Sequence, residues 1–191
     1  MRVSKQRAAD NRRRILEAAA RSFRESGIDS AGVDSITEEA GLTHGAFYSQ
    51  FPSKEAVVAE AIRLALDGSR RLFEQAARGK GRRRALATIV SGYLARAHRD
   101  SPGDGCVIAA LGADIARQPK RVRDAFTKGV KESLALMAEL TPGRNGSRRY
   151  DDAIAKLACM AGALILSRAV SDRELSVRIL QCTAKTLTRA A

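Results

Sequence analysis

Between Gly41 and Glu55 the chain reads GLTHGAFYSQFPSKE. Thr43, His44, Tyr48, Ser49 and Lys54 supply hydroxyls, an imidazole, a phenol and an ammonium group in this short span. Hydroxyl, phenol and ammonium donors suit phosphate oxygens, and an imidazole can meet a purine edge. This is the chemistry of binding rather than bond making. No paired-carboxylate site, metal-ligand spacing or phosphate-cradling glycine loop stands elsewhere, and His98 has no partner evident in the sequence. No enzyme, cofactor or metal site is therefore expected. Cys106 is a second reactive candidate. It follows Asp104-Gly105 near the start of a predicted helix, where backbone N–H groups favour a thiolate and Asp104 opposes it. Filling a helix start as a small apolar residue is its alternative role.

Positioning these groups requires short helices. Phe47 and Phe51 stand at i and i+4 and anchor one face. Gly41 suits a left-handed turn, and Thr43 can cap the helix that follows. Ahead of it, Val33 is placed as a staple, Asp34 as N-cap, and Ile36 and Ala40 inward. Helix, tight turn and second helix together have helix-turn-helix spacing, whose second helix presents its N-terminal part to base edges in the major groove. Gly45 and Ala46 keep that face thin. A preceding helix from Asp10 or Asn11 to Gly27 carries Ile15, Leu16, Ala19 and Phe23 as one stripe. Residues 1–10 read as a flexible basic arm.

Pro52 stops the reading helix, and Ser53-Lys54-Glu55-Ala56 opens a long one reaching about Arg78. Further helices are expected near 83–99, 104–117, 119–140, 148–170 and 172–189, about nine in all. No segment has strand period. Residues 153–170 are apolar over more than one stripe and need cover on most sides. The chain's own helices are one cover. A two-fold copy docking on 148–189 is the other, with Gly162 and Ala163 allowing close approach. Cys159 and Cys182 belong to core or interface.

The chain has 191 residues, a net charge of +13 and 4% aromatics without tryptophan. Such a basic balance draws polyanions. The three cysteines form no disulfide framework. No apolar run reaches the roughly 18 residues a membrane span needs, and no leader stands at the N-terminus, so a cytoplasmic protein is expected.

The stretch Ile36 to Glu55, with Arg14-Ile15-Leu16-Glu17-Ala18-Ala19 and Phe23-x-x-x-Gly27 before it, resembles the DNA-binding signature of the tetracycline-repressor (TetR) family of bacterial regulators. The likeness covers about the first third of the chain. Thr37 departs from the usual alanine at a turn-packing position, and Gln50 from a commoner His or Tyr. The resemblance implies an all-α chain. A three-helix DNA-binding domain over 11–55 would precede a larger ligand-binding and dimerising domain over 56–191. It implies a homodimeric repressor that binds a palindromic operator in double-stranded DNA and is released by a small-molecule inducer.

Carried over, Thr43, Tyr48, Ser49 and Lys54 would hold phosphates and His44 and Ala46 would read bases. Gly45 allows the close approach. Arg12 and Arg13 (with Lys5, Arg7 and Arg14) are a second candidate contact, along the backbone or in a neighbouring minor groove, with a solvated charge run as the alternative. Arg82-Arg83-Arg84 reads as solvated. For the ligand cavity the candidates are Phe73, Tyr93, Cys106, Ile108, Leu111, Phe126, Met137 and Met160. Gly105-Cys106-Val107-Ile108 also resembles a Gly-Cys element of a TetR subgroup in which such a cysteine senses electrophiles or oxidants. A helical scaffold, or a protein that binds nucleic acid without sequence preference, is the alternative.

Overall fold

The computed structural model describes residues 5–143 and 146–189, and the described residues form ten α-helices and no strand. The first, α1 (Lys5–Ser26), buries Ile15, Ala19 and Phe23, and stops at Gly27, whose φ of 88° only glycine adopts without strain. It begins earlier than expected. Residues 5–10, assigned to a flexible arm, are helical, since Gln6 to Arg14 are mostly good helix formers with no breaker. Asp10 and Asn11 are therefore interior positions rather than caps. Residues 1–4 of that arm lie outside the described residues.

Next come α2 (Val33–Glu39) and α3 (His44–Gln50). Gly32, not Asp34, is the N-cap of α2; Asp34 lies in its first turn, where a carboxylate favours the helix dipole. The turn between them is a Schellman closure. Gly41 N–H donates to Glu38 O at 2.9 Å and Leu42 N–H to Thr37 O at 2.8 Å, with Gly41 at φ 60°. Thr37 fits its position because its hydroxyl donates back to Asp34 O at 2.9 Å. Thr43 caps α3 and Ser53 caps α4 (Lys54–Ala77), each side chain accepting from the backbone N–H three residues on.

Beyond Gly79 (φ 71°) lie α5 (Arg82–Tyr93), α6 (Arg96–Asp100) and a 3₁₀ turn (Pro102–Asp104). Then follow α7 (Val107–Ile115), α8 (Lys120–Leu140), α9 (Gly146–Ala169) and α10 (Arg173–Arg189). The helix expected over 83–99 is two, because Ala95 is extended (φ −75°, ψ 148°) and turns α6 away from α5. Asp172 stands just outside α10 and accepts from the N–H groups of Glu174 and Leu175.

Two buried clusters organise these helices. One joins α1, α2 and α3 to the first half of α4 and to α7, through Ile15, Phe23, Ile36, Phe47, Phe51, Ile62 and Leu111. The other joins the second half of α4 to α5, α8, α9 and α10, through Phe73, Leu86, Tyr93, Met137, Met160 and Leu180. The long helix α4 belongs to both and lies along α8. There the chains come close: a Cβ on Gly129 would sit 2.9 Å from Leu66 Cβ and 2.5 Å from its Cδ1.

Candidate nucleic-acid interface and ligand cavity

Phe47 and Phe51 are fully buried under α1, their rings 5.9 Å apart, and they fix the orientation of α3. The opposite face is open. Thr43, His44, Gly45, Tyr48 and Ser49 are exposed and Ala46 is half-buried. Tyr48 is 53% exposed, a large area for an aromatic ring. Its ring meets His44 edge-on at 5.0 Å, and His44 Nε2 lies 3.5 Å from the Asp34 carboxylate. Thr43 Oγ accepts from Ala46 N–H at 3.3 Å, and Ser49 Oγ donates to Ala46 O at 2.8 Å. A Cβ on Gly45 would find only Thr43 Oγ1, at 4.0 Å, so no close contact within the chain demands glycine there. Lys54, on the first turn of α4, donates to Asp29 O at 3.4 Å and is half-buried.

The two arginines of α1 differ. Arg13 is exposed beside Glu17 at 3.8 Å. Arg12 instead donates to both Glu60 carboxylate oxygens at 2.8 and 2.7 Å, and its guanidinium lies 4.1 Å from the Phe51 ring centroid. It clamps α1 to α4 over the end of α3.

About 370 Å³ of cavity opens between α4, α5 and α6 with the turn that follows. Phe73, Tyr93 and Cys106 line it, as do Leu72, Ile89, Thr88 and His98. The other expected lining residues lie elsewhere. Leu111 is in the first cluster, Phe126 and Ile108 pack against it, and Met137 and Met160 are buried in the second. They lie at interhelical contacts, so their apolar character reflects core packing.

His98 has two partners that the sequence concealed. The Cys106 backbone N–H donates to its Nε2 at 2.9 Å, so the proton is on Nδ1, which donates to Tyr93 O at 2.6 Å. Burial holds the imidazole below its usual value, with the Arg168 charge adding to the effect. Arg168 on α9 donates to the carbonyls of His98 (2.8 Å) and Arg99 (3.0 Å). On the other side Arg24 of α1 donates through Nε to Gly103 O at 2.7 Å, and Arg21 pairs with Asp104 at 3.1 Å. The segment from Arg96 to Cys106 is thus tied to α1 and to α9 while forming one cavity wall. No local pattern announces Arg21, Arg24 or Arg168, since their partners lie far along the chain.

Cys159 and Cys182 are exposed, which removes the core alternative for both. They line an open groove between α9 and α10 with Gly162, Leu166 and Ile179. Ile154, Ile165, Leu166 and Leu175 are exposed on the same helices. Among the described residues, no helix is long and apolar enough to cross a membrane.

A sequence profile of the family described as bacterial regulatory proteins, tetR family, matches residues 15–61. The HTH-type transcriptional repressor Rv1474c of Mycobacterium tuberculosis is 34% identical over 142 residues, 74% of this chain and 68% of that protein. The HTH-type transcriptional regulator YdgC of Bacillus subtilis is 43% identical over 58 residues, and YerO of the same organism 26% over 166. These two alignments cover 30% and 54% of those relatives' own lengths. Among solved structures, that of E. coli NemR in its reduced form has a TM-score of 0.80 at 18% identity, covering 94% of this chain and 96% of that one. A TetR-family regulator of Streptomyces coelicolor has a TM-score of 0.76 at 22% identity, covering 95% of each chain. At those identities the likeness is one of fold. The match over residues 15–61 and the similarity to the mycobacterial repressor over about three quarters of this chain together place the chain in the tetR family of bacterial regulatory proteins.

Proposed function

We propose that this protein is a homodimeric, cytoplasmic repressor that binds a palindromic operator in double-stranded DNA and is released by a small molecule. The observation that carries this reading is the one-sided α3: its two phenylalanines are buried while Thr43, His44, Tyr48 and Ser49 stand outward on a face thinned by Gly45 and Ala46. A polar, open helix face that is held rigidly from behind suits the major groove. In this reading Tyr48, Thr43, Ser49, Lys54 and Arg13 hold phosphates, and His44 and Ala46 meet base edges. Arg12 acts from behind, positioning α3 through Phe51. Residues 5–55 form the reading head, and the helices from α4 onward form the sensing and pairing part.

Pairing uses α9 and α10, whose exposed Ile154, Ile165, Leu166 and Leu175 form an apolar surface with small residues among them. Transmission runs through the segment Arg96–Cys106. Filling the cavity moves this wall, and the bonds of Arg21 and Arg24 carry the movement to α1. Cys106 lines the cavity and is a point at which an electrophile could act as the releasing agent. If Cys106→Ser released DNA under N-ethylmaleimide just as the parent protein does, that role would be excluded.

Binding to DNA fragments from the protein's own promoter region, measured against salt, tests the reading. Tyr48→Ala and Lys54→Ala should weaken binding to all sequences, with the salt slope of Lys54→Ala reduced by about one. His44→Ala should instead change the ranking of operators. Binding indifferent to sequence would favour a non-specific nucleic-acid-binding protein, and no binding would favour a scaffold.

A further inference from the structure

The start of α8 concentrates positive charge in one place. From Arg117 to Lys131 the sequence holds six basic residues and one acid, Asp124, and every one of them is exposed. Arg117 pairs with Asp114 at 2.8 Å and Lys120 with Asp124 at 2.6 Å, which occupies both nearby acids. Among the described residues Arg121 and Arg123 have no ion pair and no side-chain hydrogen bond. Most exposed cations simply stay in water, and position sets these two apart.

α8 runs alongside α4 in the same direction. Val122 lies in the first buried cluster with Val57, Val58 and Ile62, whereas Leu134 and Met137 lie in the second with Phe73. The register is fixed where a Cβ on Gly129 would meet Leu66 Cβ at 2.9 Å. At 1.5 Å per residue, Lys54 stands about 18 Å before that contact, and Arg121 and Arg123 about 12 and 9 Å before it. Packed helices lie about 8–10 Å apart, so both arginines stand beside the first turns of α4. They flank Val122 on the two sides of α8, and helical side chains lean toward the N-terminus, here the end where Lys54 stands. The turn before α8 also abuts the first helix of the reading head, since a Cβ on Gly27 would meet Asp114 Oδ2 at 3.2 Å. Of the acids on neighbouring elements, Glu60 is held by Arg12. Asp29 and Glu55 are exposed beside Lys54, which donates to the carbonyl of the first and adjoins the second in the chain.

We infer that Arg121 and Arg123 are further DNA-backbone contacts, each holding a phosphate next to those at the start of α4. This rests on the reading of the chain as a DNA-binding regulator and extends its interface beyond the helix-turn-helix. A guanidinium fork suits phosphate oxygens, and such contacts add affinity without reading sequence. They also make binding depend more steeply on salt, because each neutralised phosphate releases counterions.

Fluorescence anisotropy tests this, with the full chain titrated onto a labelled duplex of about 30 base pairs and arbitrary sequence at about 50–200 mM salt. Phosphate contacts carry non-specific binding, so the operator need not be known. Arg121→Ala combined with Arg123→Ala should lower the slope of log affinity against log salt by about two per bound subunit. Arg82→Ala combined with Arg83→Ala is the control. It removes the same charge from exposed arginines that have no ion pair among the described residues. They stand past the far end of α4, whose 24 residues span about 36 Å, and their loss should leave the slope at the parental value. Alanine favours helix, so circular dichroism should show full helix content in both. The single variants, each losing about one, serve if the pair together disturbs the fold.

A parental slope in the Arg121 and Arg123 variant would overturn the proposal, as would an equal loss in the Arg82 and Arg83 control. If Lys54→Ala lowers the slope and the α8 pair does not, this inference falls while the reading of the helix-turn-helix stands. A parent that binds no duplex overturns both.

Discussion

Arg24 of the first helix donates through Nε to the carbonyl oxygen of Gly103, 2.7 Å away, in the turn that closes the cavity. The bond joins residues 79 positions apart and gives the first helix of the reading head a hold on the cavity wall. Burial lowers the guanidinium below its usual value while Asp104 pulls it back up, so the charge stays in a partly desolvated place. Arg24→Ala should therefore lower unfolding stability by about 1.5–3 kcal/mol, the range for hydrogen bonds to charged groups, as read by urea denaturation. It should also weaken the response of operator binding to inducer. Unchanged stability together with an unchanged response would remove Arg24 from the pathway.

His98 makes stability depend on pH. Its folded-state value lies below that of the unfolded chain, because burial and Arg168 disfavour the cation. As pH falls below about 6.5 the unfolded chain takes up this proton first, so stability drops toward the lower folded value; above that window the contribution is fully present. Protonating Nε2 also breaks its bond from Cys106 N–H. Denaturation midpoints from pH 8 to 5 should fall for the parent and stay flatter for His98→Gln. The Cys106 amide resonance should shift over the same window only in the parent.

Gly162 bears on pairing. Within the chain a Cβ there meets nothing within 4 Å, and the residue lines the groove between α9 and α10. Gly162→Leu should keep full helix content, helped by up to about 1 kcal/mol of helix propensity. By size-exclusion chromatography with light scattering the parent should run as a dimer and this variant as a monomer. A variant that still pairs would move the interface away from this groove.

Gly129 tests the contact between α4 and α8. A methyl group there would press on Leu66 at 2.5–2.9 Å, and overpacking of about 1–3 kcal/mol outweighs the helix-propensity gain of about 1. Gly129→Ala should therefore lower the denaturation midpoint. Adding Leu66→Ala should cost less in that background than in the parent, since the second change relieves the first.

Much of the reading head was legible because its determinants are local. Thr43 and Ser53 cap helices within three residues of themselves, Gly41 closes its turn with neighbours, and Phe47 and Phe51 share a face by helical geometry alone. Cap positions were less secure: Gly32 starts α2 and the helix around Asp10 simply continues, because several residues could begin either helix with similar energy. The break at Ala95 has no proline beside it, and Gly92 sits inside the last turn of α5 rather than at the break. It arises where Arg168, from another part of the chain, holds the carbonyls of His98 and Arg99.

The same division separates the two candidate sites. By itself the sequence determined an all-helical chain, a helix-turn-helix with its polar face free, and a basic surface, since periodicity, caps and charge are properties of neighbouring residues. Only the tertiary structure decided that Arg12 supports α3 from behind, and that Phe73, Tyr93 and Cys106 share a cavity while Leu111, Met137 and Met160 are core and Phe126 packs against it. An apolar residue on a helix carries no mark of whether another helix or an open space will face it. That is settled by how distant helices pack.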